Sequence, residues 1–410
     1  MLLVILGIMA RVDVTKMTTI ENHILLLPFT EYLEDKYISQ YFHSDSISPS
    51  VYSVLQCCLK NFKDKKYEEC KNDSEILIDI AWEKLNTGHW KDVHMKWRNL
   101  YAYASLFKEC LYTCDMGLLL GAPIFDNILG KIANALNKNC KSPEPPKESQ
   151  VIHDREYRLQ KAKRLKSCNI PMLKENQLPR VNCPTLFEFE EKYFRLKLPL
   201  IIENAMDFWP AMSTRPWNIN YLRSVAGNRT VPVELGSKYT DGNWSQSLMT
   251  VNEFIDKHIV CDDGGVAYLA QHSLFDQIPE LGNDICLPIY CALGEKNDVD
   301  INAWFGPSGT ISPLHFDPKH NFLCQIVGEK YIRLYSPGET EKVYPHKDSM
   351  LFNTSQVDVE HPNLNEFPDF QTAKHFDCIL NAGEMLYLPP KWWHYVRSLS
   401  LSFSVSFWWE

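Results

Sequence analysis

The second half of the chain is a succession of short β-type runs, each closed by Gly, Pro or Asn. They are Pro199–Ile202, Val231–Glu234, Ala267–Ala270, Asn302–Phe305, Phe322–Val327, Tyr331–Tyr335, Met385–Leu388 and Leu401–Trp409. Many short strands with tight turns must pair edge to edge and hide their apolar faces, so the pattern predicts a closed or double-sheet β architecture. The last run alternates cleanly. Leu401, Phe403, Val405, Phe407 and Trp409 share one face, and Ser402, Ser404, Ser406 and Trp408 share the other. A hydroxyl-lined face with one aromatic suits a barrel interior around a polar ligand, and it equally suits a solvent face.

The first half has a different character. From about Ile20 to Cys140 prolines are few, and Ile76, Leu77, Ile80, Ala81 and Leu85 recur at helical spacing. Met95–Tyr112 and Ile124–Leu136 repeat the pattern. Trp82, Leu85 and Trp90 resemble the opening of a helical-hairpin repeat, but one weak copy predicts a helical bundle rather than an array. Such a bundle would serve docking of a protein partner or dimerisation. Lys141–Glu148 (KSPEPPKE) is a stiff polar linker by composition, and the basic run Arg155–Lys166 reads as a solvated helix face. The expected organisation is α+β: residues 1–19 unassigned, 20–140 helical, 141–180 linker, and 181–410 a jelly-roll or cupin-like β domain.

Composition excludes several classes. A net charge of −9 argues against direct nucleic-acid binding, which needs clustered Lys and Arg. The 13 cysteines are scattered and form no CxxC, so they read as reduced thiols of an intracellular protein. Met1–Ala10 is apolar but stops at Arg11, too short to span a bilayer, and no basic residues precede it as in a secretory signal. No membrane association is expected.

The segment Gly309–Asp317 (GTISPLHFD) carries the chemistry. His315 and Asp317 are two apart, so on a strand both project from one face. A third ligand has to come from elsewhere, and His394 in Pro389–Val396 (PPKWWHYV) is the candidate. Two imidazoles and a carboxylate on one side of a metal leave open positions opposite, which suits non-haem Fe(II) oxygen chemistry. A structural zinc site would be closed by four ligands and would usually include cysteine. Lys330 opens a largely apolar strand after the turn Gly328-Glu329, so it must either reach solvent or meet an anion. Ser312, Asn321 and Tyr268 offer neutral hydrogen bonds beside it.

These segments resemble the JmjC-domain 2-oxoglutarate oxygenases. The likeness begins near Pro184–Phe189, passes through Pro199–Asn204 and Trp209–Ala211, and covers Gly309–Pro337 and Gly383–Trp409, spanning essentially the C-terminal half. It implies a double-stranded β-helix with His315, Asp317 and His394 as Fe(II) ligands. It also implies 2-oxoglutarate held by Lys330, Asn321, Ser312 and Tyr268, and O₂ as second co-substrate. Phe316 departs from the polar residue expected between the ligands, but on a strand it points away from the metal.

For the substrate, the resemblance implies a protein or peptide. Glu234 follows an apolar run, and an inward carboxylate there needs a cationic partner. Trp244 and Trp304 could stack on a guanidinium and Gln271 could add a hydrogen bond, which together suit an arginine socket, and the resemblance implies C3-hydroxylation of that arginine. The competing possibility is that Glu234 pairs with an internal Arg. Two other functions stand beside hydroxylation. One is N-methyl-lysine demethylation, which would make the protein a chromatin regulator; the other is a catalytically silent scaffold, against which the intact His315, Asp317, His394 and Lys330 count. The expected compartment is the nucleus, the cytoplasm or both.

Overall fold

In the computed structural model, the described residues are 41–42, 47–87, 92–108, 111–122, 124, 127–139 and 176–410, except 237–243, 262–264, 297 and 348–350. The expected linker, the basic run and the apolar N-terminal segment fall largely or wholly outside them, as does Trp90. The chain divides into two compact units.

Among the described residues the first unit holds five helices: α1 (Pro49–Lys63), α2 (Tyr67–Leu85), α3 (Met95–Ser105), α4 (Leu111–Leu120) and α5 (Ile128–Asn139). The start of α1 follows from its sequence. The Ser48 side chain accepts from the Val51 N–H, Pro49 supplies a fixed φ in the first turn, and Lys60 and Lys63 sit at the negative end. Each helix packs on the next. Helix α4 approaches its neighbours closely at Gly117, where a Cβ would come within 2.7 Å of Leu129 and 2.9 Å of Ser105. The helix expected over Met95–Tyr112 breaks into α3, a 3₁₀ turn at Leu106–Lys108 and α4. Residues 226–231 and 276–279 belong to this unit and bring in Arg229, which is fully buried. Its guanidinium donates to Asp115 Oδ1 through Nε at 2.9 Å and Nη2 at 2.7 Å, while Asp115 Oδ2 accepts from the Thr230 N–H.

The second unit is a two-sheet β fold. Its strands are β1 (Arg180–Asn182), β2 (Leu200–Glu203), β3 (Thr230–Leu235, residues 230 and 231 being counted with the first unit), β4 (Ser245–Thr250), β5 (Ala267–His272), β6 (Asp300–Gly306) and β7 (Ile311–Phe316). They continue as β8 (His320–Val327), β9 (Glu329–Tyr335), β10 (His375–Asn381), β11 (Met385–Leu388), β12 (Trp393–Ser398) and β13 (Ser402–Trp409). One sheet has the order β1-β2-β11-β8-β13-β6-β5-β3-β4 and the other β10-β9-β12-β7. Pairing is antiparallel except between β1 and β2. This is the jelly-roll-like architecture that the strand pattern predicts.

The two sheets close on a shared core. Leu323 and Leu388 from the larger sheet meet Ile332, Leu334, Leu380 and Val396 from the smaller one, all buried. On the outer face of the smaller sheet, Tyr331, Tyr335, Trp393 and Tyr395 pack under Val343, Val357, Val359 and Phe370. The β8–β9 turn depends on Gly328 (φ 78°), since a Cβ there would lie 1.9 Å from the Leu401 carbonyl oxygen. No helix among the described residues is long and apolar enough to cross a membrane.

Candidate functional site

Strands β7 and β12 pair antiparallel with His315 directly opposite His394. Their ring centroids are 4.2 Å apart. The residues alternating with them face outward: Phe316 meets Trp393 edge-on with centroids 4.9 Å apart, in the cluster beneath the outer loop. The two strands are thereby held from behind while their histidines turn inward. Phe316 points away from the site, as its strand position requires. Asp317 lies one residue beyond β7, and its backbone carbonyl accepts from the Lys391 N–H at 2.8 Å.

The three side chains converge. His394 Nε2 is 3.6 Å from Asp317 Oδ2, and His315 Nε2 is 4.0 Å from Asp317 Oδ1. One ligand atom from each residue lies within 4.8 Å of the others, and among the described residues this is the group of its kind. Each imidazole is oriented by the same device, a contact of Nδ1 with the carbonyl two residues earlier: Pro313 for His315 at 2.7 Å and Trp392 for His394 at 3.1 Å. A carbonyl can only accept, so Nδ1 carries the proton and Nε2 keeps its lone pair for a metal. Burial lowers the His394 pKa to about 4, with His315 adding to the effect and Asp317 opposing it, so the ring is neutral near pH 7. Asp317 Oδ2 is buried and accepts no hydrogen bond. An orphaned carboxylate oxygen between two free Nε2 atoms is costly in an empty interior and fits a divalent ion. Two nitrogens and one oxygen, with no thiolate, match Fe(II) better than structural zinc.

The group opens into a cavity of about 360 Å³ including its mouth. All four residues expected to hold 2-oxoglutarate line it: Tyr268, Ser312, Asn321 and Lys330. Lys330 lies on an interior strand, paired with β10 on one side and β12 on the other, and is 1% exposed, so it does not reach solvent. Its Nζ donates to the Tyr268 hydroxyl at 3.1 Å, and burial lowers its pKa to about 7. Tyr268 also meets Ser312, and burial raises its pKa. Asn321 Oδ1 is buried without a partner. A buried ammonium site ringed by hydroxyl and amide groups fits a carboxylate guest.

The substrate candidates separate. Trp304 lines the cavity, with its indole N–H donating to Ser406 Oγ at 2.8 Å. Glu234 sits on β3 directly across from Tyr268 on β5. It is half-buried, and burial raises its pKa, opposed by the Trp244 indole N–H, which donates to Oε2 at 3.2 Å. No Arg or Lys among the described residues pairs with Glu234, which leaves the internal-Arg alternative without support there. Gln271 is exposed, with φ of 46°, at an irregularity in the β5–β6 ladder. It does not line the cavity.

Three apolar lining residues, Leu323, Leu388 and Val396, have no counterpart in the sequence reading. In sequence they are indistinguishable from core. Ser406 and Trp408 lie on the polar face of the alternating last strand, and the structure turns that face inward; the Trp408 indole N–H is buried without a partner.

A fold of this kind with this ligand group defines a class, and comparison with known proteins gives the same one. Residues 186–410 match the cupin-like domain family. The chain belongs to the JmjC branch of that family, the 2-oxoglutarate-dependent dioxygenases. It is 50% identical over 382 residues to lysine-specific demethylase 8 of Danio rerio, covering 87% of this chain and 93% of that one. Identity to Jumonji C domain-containing protein 5 of Drosophila melanogaster is 38% over 384 residues, 86% of this chain and 90% of the other. A more distant relative is the human bifunctional peptidase and (3S)-lysyl hydroxylase JMJD7. It is 26% identical over 261 residues, 55% of this chain and 82% of its own length.

Proposed function

We propose that the chain hydroxylates arginine side chains at C3 in protein substrates, with residues 181–410 as the catalytic part and residues 20–140 as a docking element. The observation that carries this reading is Glu234. A half-buried carboxylate that meets only an indole N–H among the described residues is a poor resting state, and a guanidinium is the cation best shaped to complete it. Trp244 fixes one carboxylate oxygen and leaves the other to accept from the substrate.

In this reading His315, Asp317 and His394 hold Fe(II), while Lys330, Tyr268, Ser312 and Asn321 hold 2-oxoglutarate. Iron with 2-oxoglutarate and O₂ supplies the oxidising power for an unactivated C–H bond. The chain's own contribution is placement. The Pro313 and Trp392 carbonyls lock the two imidazoles, Lys330 anchors the far end of the co-substrate, and Leu323, Leu388 and Val396 keep water from the reacting volume. Glu234 and Trp244 then fix which carbon is presented.

A second reading, N-methyl-lysine demethylation, is favoured by the names of relatives with high identity. It calls for an aromatic cage around a methylammonium. Against it stands the carboxylate at Glu234, with the Trp304 ring tied to Ser406.

Purified full-length protein with Fe(II), ascorbate and 2-oxoglutarate, offered arginine- and methyl-lysine-containing peptide libraries, separates the two. A gain of one oxygen on arginine, read by mass spectrometry, supports the proposal. Loss of a methyl group with formaldehyde supports demethylation. No product and no succinate would support a silent scaffold.

A further inference from the structure

Lys330 is the cavity residue whose charge is incomplete without a guest. It is 1% exposed, and its hydrogen-bond partner among the described residues is the Tyr268 hydroxyl at 3.1 Å. An ammonium carries three donors, whereas a neutral amine and a phenol satisfy each other with one hydrogen bond. The charged form would therefore bury two donors without acceptors and a charge without a counter-charge.

Besides the Tyr268 ring, whose centroid lies 5.6 Å from Nζ, little around the amine compensates. Tyr268 faces it from β5, with Glu234 behind Tyr268 on β3 and Ser312 on β7. Leu380 on β10 and Ser398 on β12 are its uncharged cross-strand neighbours. Leu323 and Asn321 line the cavity from β8, and Trp304, Ser406 and Trp408 line it from β6 and β13. Asp317 and the two imidazoles also face the cavity, but no carboxylate among the described residues forms an ion pair with Nζ.

We propose that Lys330 is a neutral amine in the empty site at mildly alkaline pH and takes a proton from solvent when the dicarboxylate co-substrate binds, so that co-substrate capture is proton-coupled. This rests on the reading of Lys330 as the 2-oxoglutarate anchor. The balance is simple: amine, proton and dianion combine to an ammonium paired with a carboxylate, with no other bond made or broken. Burial alone lowers the pKa of the empty site to about 7, and the guest carboxylate raises it again. Above that value binding must include a proton, so affinity falls by up to tenfold per pH unit; below it, affinity is flat. A surface lysine, charged throughout, would give no such slope.

The test is titration calorimetry of the Mn(II)-loaded full chain with 2-oxoglutarate at pH 8.5, in two buffers of very different ionisation enthalpy. The expected result is uptake of close to one proton per ligand at pH 8.5 and close to none at pH 6. The dissociation constant should rise about tenfold per unit between pH 7.5 and 8.5. Lys330→Arg, which stays charged, should bind without proton uptake; if that variant does not bind, the pH slope of the wild-type constant decides. Equal binding enthalpies in both buffers at pH 8.5, or uptake that persists in Lys330→Arg, overturns the proposal while leaving the co-substrate site standing. No binding at any pH overturns both.

Discussion

Glu234 lies directly across the β3–β5 ladder from Tyr268, whose hydroxyl receives the Lys330 Nζ hydrogen bond. One tyrosine thus separates a carboxylate suited to a cationic substrate from an amine suited to an anionic co-substrate. The two sites can be probed independently because the ladder, rather than a shared side chain, sets their spacing.

Glu234→Ala removes the substrate-facing carboxylate and leaves Lys330, Ser312 and Tyr268 in place. Truncating one partner of a buried charge pair costs about 2–5 kcal/mol, so the KM for an arginine peptide should rise at least about 30-fold. The dissociation constant for 2-oxoglutarate, measured calorimetrically with Mn(II), should change less than about threefold. Equal losses for both ligands would show that Glu234 supports the fold instead of the substrate.

The same carboxylate gives a pH dependence of known sign. Burial raises its pKa above the ordinary carboxylate range, and only the ionised form pairs with a guanidinium. Peptide affinity should therefore be full above that raised value and be lost as pH falls through it, whereas the co-substrate slope runs in the opposite direction. Peptide dissociation constants between pH 5 and 8 for the wild type and Glu234→Gln check this, because the glutamine variant should show no slope over that range.

His315→Ala and Asp317→Ala each leave two ligands where three converge. Loss of an outer partner of a metal ligand already costs about 10–100-fold, so loss of a ligand itself should lower succinate formation at least about 100-fold. Mn(II) binding followed by electron paramagnetic resonance should weaken in parallel. Activity at the wild-type level in either variant refutes the metal assignment.

The sequence carries much of the barrel and the His315–Asp317 half of the ligand group because both depend on short-range pattern. The spacing of His315 and Asp317, the turn at Gly328 and the alternation over Ser402–Trp409 follow from strand geometry alone. Several strands escape this kind of reading, three of them for a clear physical reason. β4 (SQSLMT) is largely polar, β10 (HFDCILN) buries Asp377 on the face where alternation expects solvent and puts Ile379 on that same face, and β12 (WHYVRS) follows a Pro-Pro turn that breaks its period. The substrate side is less legible still. The Trp244–Glu234 hydrogen bond links β3 to the residue just before β4, and the position of Gln271 depends on a ladder irregularity that no periodicity encodes. For His394, only its register opposite His315 makes it a partner, and register is a property of the sheet.

Asp377 supplies a stability prediction on the outer face of the small sheet. It is 2% exposed and accepts from Arg333 Nε at 2.8 Å, Arg333 Nη2 at 3.0 Å and the Tyr331 hydroxyl at 2.8 Å. Burial alone would raise its pKa, but the hydrogen bonds from His375, Arg333 and Tyr331 together with the Arg333 charge outweigh it and hold the value at about 2. A carboxyl whose folded pKa is depressed contributes stability that is present above its unfolded value and lost as pH falls through the folded one. The contribution at pH 7 is on the order of 2 kcal/mol. Asp377→Asn should therefore unfold at lower urea than the wild type at pH 7, and the gap should narrow as pH drops from about 5 towards 2. A gap that stays constant over that range would mean the amide disrupts packing and that the charge of Asp377 contributes nothing.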